Sequence, residues 1–230
     1  MSMSLNIVSS NRKDVGTSVD KKLYEENKIL VDYLTNIGAI KSEKVRKAFL
    51  NVPRHLFLKD KSYAYIDTPL PTLKGQTISQ PSIVAIMLEN LDLHPNQKVL
   101  EIGAGTGWNA ALIGSIVYPG KVFTIEIEKE LVEFAKENLN KLNIKNVEII
   151  HGDGNFGYDK EAPYDRCIIT AACSIIPPPL IEQLKKDGKL IAPIGTRFSQ
   201  RLVLYDKNKN SFKDLGGCIF VELKGKYGFE

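Results

Sequence analysis

Apolar residues recur at helical spacing in the first part of the chain and at strand-and-helix spacing after residue 98. Asp20 precedes "KKLYEENKILVDYLTNIG", in which Leu23, Leu30, Leu34 and Ile37 fall on one helical face, and Gly38 is a stop. Ser42 caps a second predicted helix with Val45, Ala48 and Phe49 inward, which ends before Pro53. "VPRHLFLKDKSYAYIDTPLP" has neither period and reads as loop, whereas "IVAIMLENL" is helical again. From Lys98 the rhythm alternates. "KVLEI", "KVFTIEI", "VEIIHGDG", "YDRCIITAA" and "GKLIAPIG" read as strands, and "WNAALIGSIV", "KELVEFAKENLNKL" and "PLIEQLK" as helices. That alternation predicts an α/β fold, a parallel sheet with helices on both faces. At the end, "QRLVLYDK" and "GGCIFVELKG" read as two strands joined by a polar turn, hence antiparallel. The expected organisation is a flexible tail over 1–19, a helical and loop segment over 20–97 packed on the core, and the core itself over 98–230, in one compact domain.

Composition narrows the function classes. With 230 residues, 43% of them hydrophobic, the chain can bury a proper core. The net charge of +4 comes from scattered basic residues, with no basic run interleaved with aromatics, so no nucleic-acid partner is expected. Three cysteines without a C-x-x-C argue against disulfides and a metal site and fit a reducing cytoplasm. No apolar run approaches a membrane span, and the N-terminus lacks a signal-peptide layout. A cytoplasmic protein with no membrane partner is expected. Oligomeric state is not legible.

The first βα turn carries the chemistry. In "VLEIGAGTGWNAA", Gly103, Gly105 and Gly107 let the backbone pass close to a ligand, although a glycine-rich turn can be only a tight turn. A dinucleotide fingerprint needs glycine at position 108, where Trp108 stands, so a ligand without phosphates such as S-adenosylmethionine fits better. Glu126 closes the next strand and can accept hydrogen bonds from ribose hydroxyls; the alternative is a solvated strand end. Asp153 in "HGDG" can accept from an adenine amine, or be an ordinary Asp-Gly turn. These positions fall on consecutive strand ends, where ligands bind such sheets.

The methyl acceptor is read from what surrounds it. The fourth strand ends in "IITAACS", and Ala171 and Ala172 offer nothing to grip an amine. His55, His94 and His151 include no evident base, with His151 expected beside the "GDG" turn. A neutral alcohol or amine commonly needs help losing its proton, whereas a carboxylate is already ionised at pH 7. "GQTISQPS" places Thr77 and Ser79 at a helix start with Pro81 in its first turn. Hydroxyls there can cap the helix, or can hold a carboxylate.

The chain resembles the protein-L-isoaspartate (D-aspartate) O-methyltransferase family. "VPRHLF", "AYIDTPLP", "GQTISQP", "VLEIGAGTGWNAA", "GDG", "APYDR", "LIEQLKKDGKLIAPIG" and "QRLVLYDK" occur in family order over roughly residues 20–228, and "LKGKYGF" looks like archaeal members. The resemblance implies a Rossmann-like class I S-adenosylmethionine-dependent methyltransferase. Its sheet would be mostly parallel and seven-stranded, with the last two strands swapped relative to most relatives, and an N-terminal helical extension. The implied reaction methylates the free α-carboxylate of L-isoaspartyl, and conceivably D-aspartyl, residues in damaged proteins and releases S-adenosyl-L-homocysteine. The ester then closes to a succinimide that hydrolyses partly to aspartate. The catalytic hydroxyl would be Ser79. Gln76, Thr77, Ile78 and Ser79 would line the meeting point of methyl and carboxylate. Gly103, Gly105, Gly107, Glu126, Ile127, Gly152 and Asp153 would hold the cofactor, with Gln200 near cofactor and substrate. Departures are the longer tail, Trp108 where tyrosine is frequent, and "FVEL" for "FVPL". The competing readings are a methyltransferase for RNA or a small molecule, and a binding module without catalysis; a dehydrogenase is disfavoured by Trp108.

Overall fold

The structure, a computed structural model, describes residues 18–229. Residues 1–17 of the expected tail lie outside the described residues. Helix α1 (Ser18–Asn36) takes in Ser18 and Val19, which the sequence reading had placed in the tail, and buries Leu23, Asn27, Leu30, Val31 and Leu34. Ile37 was expected inward but is 51% exposed, because the helix has ended and the chain turns through Gly38. Helix α2 (Glu43–Asn51) has Ser42 as its cap, whose side chain accepts from the Val45 N–H at 3.4 Å, and it buries Val45, Ala48 and Phe49 as expected.

The stretch read as loop contains a helical turn over Arg54–Phe57 and a short hairpin of β1 (Leu70–Pro71) and β2 (Thr77–Ile78). A hairpin two residues deep is too short to show period-2 alternation, and Pro71 suits only an edge position. Helix α3 (Pro81–Leu91) follows with proline in its first turn. Glu89 of α3 accepts from the Lys41 and Ser42 N–H groups, both at 2.8 Å, and so pins α2 to α3.

The core then runs β3 (Lys98–Ile102), α4 (Trp108–Val117), β4 (Lys121–Glu126), α5 (Lys129–Lys141), β5 (Val147–His151), β6 (Tyr164–Ile169), α6 (Pro178–Glu182), β7 (Leu184–Gly195), β8 (Gln200–Asp206) and β9 (Ser211–Cys218). The seven strands lie in the order β5-β4-β3-β6-β7-β8-β9, and only β8 runs against the others. Alternate residues of the central strands divide between two apolar layers. Val99, Val122, Ile168 and Ile191 face α1 to α4, while Leu100, Phe123, Cys167 and Leu190 face the layer that contains Leu180 of α6.

Two boundaries differ from the sequence reading. Helix α6 is only five residues long, and β7 begins at Leu184 through "LKKD", with a bulge opposite Tyr164 and Arg166. The last strand is the polar "SFKDLGGC", reached by a tight turn with Asn210 at φ 45°. The apolar "IFVEL" instead leaves the sheet edge. It crosses back to Ala172, whose N–H donates to the Val221 carbonyl and whose carbonyl accepts from the Leu223 N–H, both at 2.7 Å.

Candidate active site

Two cavities open at the C-terminal ends of β3, β4 and β6 and meet. Thr77, Ser79, Thr170 and Val221 line both of them.

The first cavity is built on the glycine-rich turn. Gly103 has φ 94°, and a Cβ there would stand 2.5 Å from the Thr170 hydroxyl oxygen, so no larger residue fits. The Asn138 amide donates to the Thr106 carbonyl at 3.0 Å and holds the turn against α5. Gly103, Ala104, Gly105 and Thr106 face the cavity. Gly107 does not; its missing Cβ makes room for Ala135 of α5. Glu126, buried at the end of β4, accepts from the Gly105 N–H at 2.9 Å with one oxygen and from the Glu128 N–H at 3.0 Å with the other. Each oxygen keeps a lone pair for a further donor. Gln76, Thr77, Ile78, Ser79 and Ile127 also line this cavity.

Besides Gly107, three expected cofactor residues lie off this cavity. Asp153 accepts from the Asn155 N–H at 2.9 Å, from the Asn155 amide and from the Lys226 N–H at 2.9 Å. Its carboxylate anchors the C-terminal segment, and Gly154 rather than Gly152 or Asp153 faces the cavity. Gln200 is buried. Both its amide hydrogens go to the Thr196 and Arg197 carbonyls, at 2.6 and 3.2 Å, and its oxygen accepts from the Phe220 N–H at 2.9 Å. It braces the wall of the second cavity and does not reach the first.

The sequence reading missed the segment Val221–Lys224 as a wall of the first cavity. Lys224 bridges to Glu128 at 2.6 Å, and the Asn155 amide donates to the Lys224 carbonyl at 2.7 Å. "LKGKYGF" was the available signal, but a segment that crosses between two turns has no periodicity to read. Thr170, whose hydroxyl lies 2.9 and 2.8 Å from the Ile102 and Gly103 carbonyls, was missed as well.

Ser79 stands free for chemistry because another residue caps α3. The Asp67 carboxylate accepts from the Ser82 N–H at 2.8 Å and from the Gln80 amide at 3.2 Å. That removes the helix-cap reading of "GQTISQPS" and also takes one of the N–H groups expected to hold an acceptor. No described residue engages the hydroxyl of Thr77 or of Ser79.

Charge differs sharply between the cavities. Glu126, Glu128 and Glu222 border the first, and its single cation, Lys224, is paired. Such a wall repels a pyrophosphate and suits a ligand carrying sulfonium and ammonium charges. The second is lined by polar, apolar and aromatic residues without a charged side chain, and Phe198 and Ile219 on its rim are 86% and 78% exposed. None of the three histidines lines either cavity. His55 is buried, with its pKa lowered to about 4 by burial and by Lys61, and its Nδ1 contacts the Tyr65 hydroxyl. His151 is exposed at the end of β5, with Nε2 3.2 Å from the Ile127 carbonyl. Burial pushes the Cys173 thiol up to about 12 and the Cys167 thiol higher, which removes both as nucleophiles.

The strand order, the glycine-rich turn and the acidic strand end define a Rossmann-like class I S-adenosylmethionine-dependent methyltransferase. Comparison with known proteins narrows the class. The model of the family Protein-L-isoaspartate(D-aspartate) O-methyltransferase matches residues 25–228. A Protein-L-isoaspartate O-methyltransferase of Pyrococcus horikoshii is 51% identical over 91% of this chain and 98% of its own length. That of Methanopyrus kandleri is 44% identical over 92% and 96%. A solved structure of a protein-L-isoaspartate O-methyltransferase superposes with TM-score 0.81 at 33% identity, over 88% of this chain and 67% of that one. A Plasmodium falciparum structure in complex with S-adenosyl-L-homocysteine superposes with TM-score 0.78 at 30% identity, over 86% and 98%. The chain belongs to the protein-L-isoaspartate(D-aspartate) O-methyltransferase family.

Proposed function

We propose that the protein transfers a methyl group from S-adenosylmethionine to the free α-carboxylate of isoaspartyl residues in damaged proteins and peptides. The observation that carries this reading is the junction of an acid-bordered cavity with an uncharged one at the unengaged hydroxyls of Thr77 and Ser79. When bound, the cofactor supplies an electrophilic methyl on a positively charged sulfur. Gly103 and Gly105 would bring backbone against it, Glu126 would accept from its ribose hydroxyls, and Gln76 to Ile78 would close the side facing the acceptor.

The second cavity receives an extended peptide and takes its carboxylate out of water. No cation lines that cavity to hold an anion away from the methyl, and no residue has to remove a proton. The Ser79 hydroxyl donates to one carboxylate oxygen and leaves the other aimed at the methyl. The new C–O bond forms as the S–C bond breaks, and the electron pair remains on sulfur. The ester is then open to attack by the following backbone nitrogen, which expels methanol and closes the succinimide.

The test is a methyl-transfer assay with labelled S-adenosylmethionine that compares an isoaspartyl peptide, its normal aspartyl twin and an RNA. Label is expected in the isoaspartyl peptide alone, as a base-labile ester. Base-stable label in the RNA would overturn the reading.

A further inference from the structure

We infer that Arg54 is a positioning residue for methyl transfer, whose guanidinium fixes the Ser79 turn against the cofactor turn. The inference rests on the proposed role of Ser79 and adds a residue to that machinery. Arg54 is 1% exposed, yet it makes no ion pair within the usual distance among the described residues. Its two terminal nitrogens donate to main-chain carbonyls on two segments, while Nε, buried, has no partner. Nη1 donates to Ala64 at 2.9 Å and to Ile66 at 3.4 Å. Nη2 donates to Thr68 at 2.9 Å, to Ile78 at 3.3 Å and to Ser79 at 3.1 Å.

A buried charge is costly, and it is offset here by carbonyls that converge on one point and need a donor no apolar side chain would supply. What this charge accomplishes is specific. It gathers carbonyls of the loop over 64–68 and of the end of the β1–β2 hairpin, and the last of them belongs to Ser79. The same guanidinium lies 5.5 Å from the centroid of the Trp108 ring. Trp108 opens α4 directly after the glycine-rich turn, and its indole N–H donates to the Val52 carbonyl at 3.0 Å. One side chain therefore touches both the segment that aims the acceptor and the residue that follows the cofactor turn. Only the flat fork of arginine can serve carbonyls on both sides while stacking on an indole; lysine offers a point charge without a plane.

The experiment measures Arg54→Lys, Ser79→Ala and the double variant. Each is assayed for kcat and KM with an isoaspartyl peptide and for S-adenosyl-L-homocysteine affinity by calorimetry, once circular dichroism shows a folded protein. Arg54→Lys should lower kcat about 10- to 100-fold, with homocysteine-cofactor affinity and peptide KM held within about threefold, the pattern of an interaction realised only in the transition state. Added to Ser79→Ala, it should lower kcat by no more than about threefold further, because the hydroxyl it positions is gone. A folded Arg54→Lys enzyme with unchanged kcat overturns the inference, and so does a loss that multiplies in full with that of Ser79→Ala. Where Arg54→Lys does not fold, Arg54→Gln, which keeps donors for fewer carbonyls, is judged by the same two criteria. Full activity in Ser79→Ala alone refutes the role of Ser79 itself, which separates that failure from a failure of Arg54.

Discussion

At the scale of single residues, the proposed site divides into groups that line the two cavities and groups that hold those in place. Ser79→Ala should lower kcat by about one to three orders of magnitude, as for loss of one aligning donor, and leave S-adenosyl-L-homocysteine affinity nearly unchanged. Single-turnover rates at saturating peptide measure it, and an unaltered rate removes Ser79 from the chemistry. Glu126→Ala should weaken the cofactor by about 1–3 kcal/mol through stranded ribose hydroxyls, which titration calorimetry reads directly. Glu101, on β3 beneath the glycine-rich turn, is the outlier. It is 0% exposed, accepts from the Asn109 amide at 2.6 Å with Oε1, and has no partner for Oε2. Burial raises its carboxyl to about 7, and the Glu126 charge adds to that. Because its folded pKa lies above the unfolded value, its contribution to stability is complete below about pH 4.5 and is lost as pH rises through about 7. The wild-type protein should therefore lose on the order of 3 kcal/mol relative to Glu101→Gln between pH 4.5 and 8. Urea unfolding at both pH values checks this, and parallel pH curves for the two proteins would rule it out.

At the scale of elements, what was legible follows from periodicity. The sheet strands from β3 to β6 and helices α1 to α5 were readable because each presents several apolar positions at one spacing. That Glu126 and Gly105 would face one cavity was readable because they sit at fixed offsets from such strands. The last strand was misplaced for the same reason: apolar "IFVEL" looks like sheet, while the actual edge strand is polar on exposed faces. The apolar residues of 219–223 belong to a crossing that walls the first cavity. Asp153, expected beside a base, has its carboxylate engaged by Asn155 and by the segment that crosses. Gly225 marks the contact. It has φ 102°, and a Cβ there would lie 2.3 Å from Asp153 Oδ1 and 2.5 Å from the Asn155 amide nitrogen. Gly225→Ala should push the crossing off its anchor and weaken S-adenosyl-L-homocysteine binding about tenfold, with a smaller loss of Tm in the unliganded protein, since strain of this kind costs about 1–3 kcal/mol. Calorimetry and thermal melts separate the two effects. Wild-type affinity in the alanine variant would mean that the crossing is no part of the binding wall.

At the scale of the whole molecule, the segment before residue 98 is as much a part of the enzyme as the sheet. It supplies Ser79, Arg54 and Asp67, while the core supplies the glycine-rich turn and Glu126. One apolar layer joins the two: Leu34, Phe49 and Leu88 belong to the same buried cluster as Val99, Leu112 and Ile191. Without α1 to α3, that face of the sheet and the outer side of α4, including Trp108, would meet water. Exposing fully buried side chains of this size costs roughly 1.5–3 kcal/mol each, and a handful of them exceeds the 5–15 kcal/mol that holds an ordinary domain together. A chain beginning at Lys98 should therefore show no cooperative thermal transition. The full chain should melt in a single step by far- and near-ultraviolet circular dichroism alike. S-adenosyl-L-homocysteine at a hundred times its dissociation constant should add about 2.7 kcal/mol to the full chain and nothing measurable to the fragment. A fragment that melts sharply and responds to the ligand would show that the acceptor segment is an attachment to an independent cofactor domain. The two turns would then be brought together by docking, without a shared core.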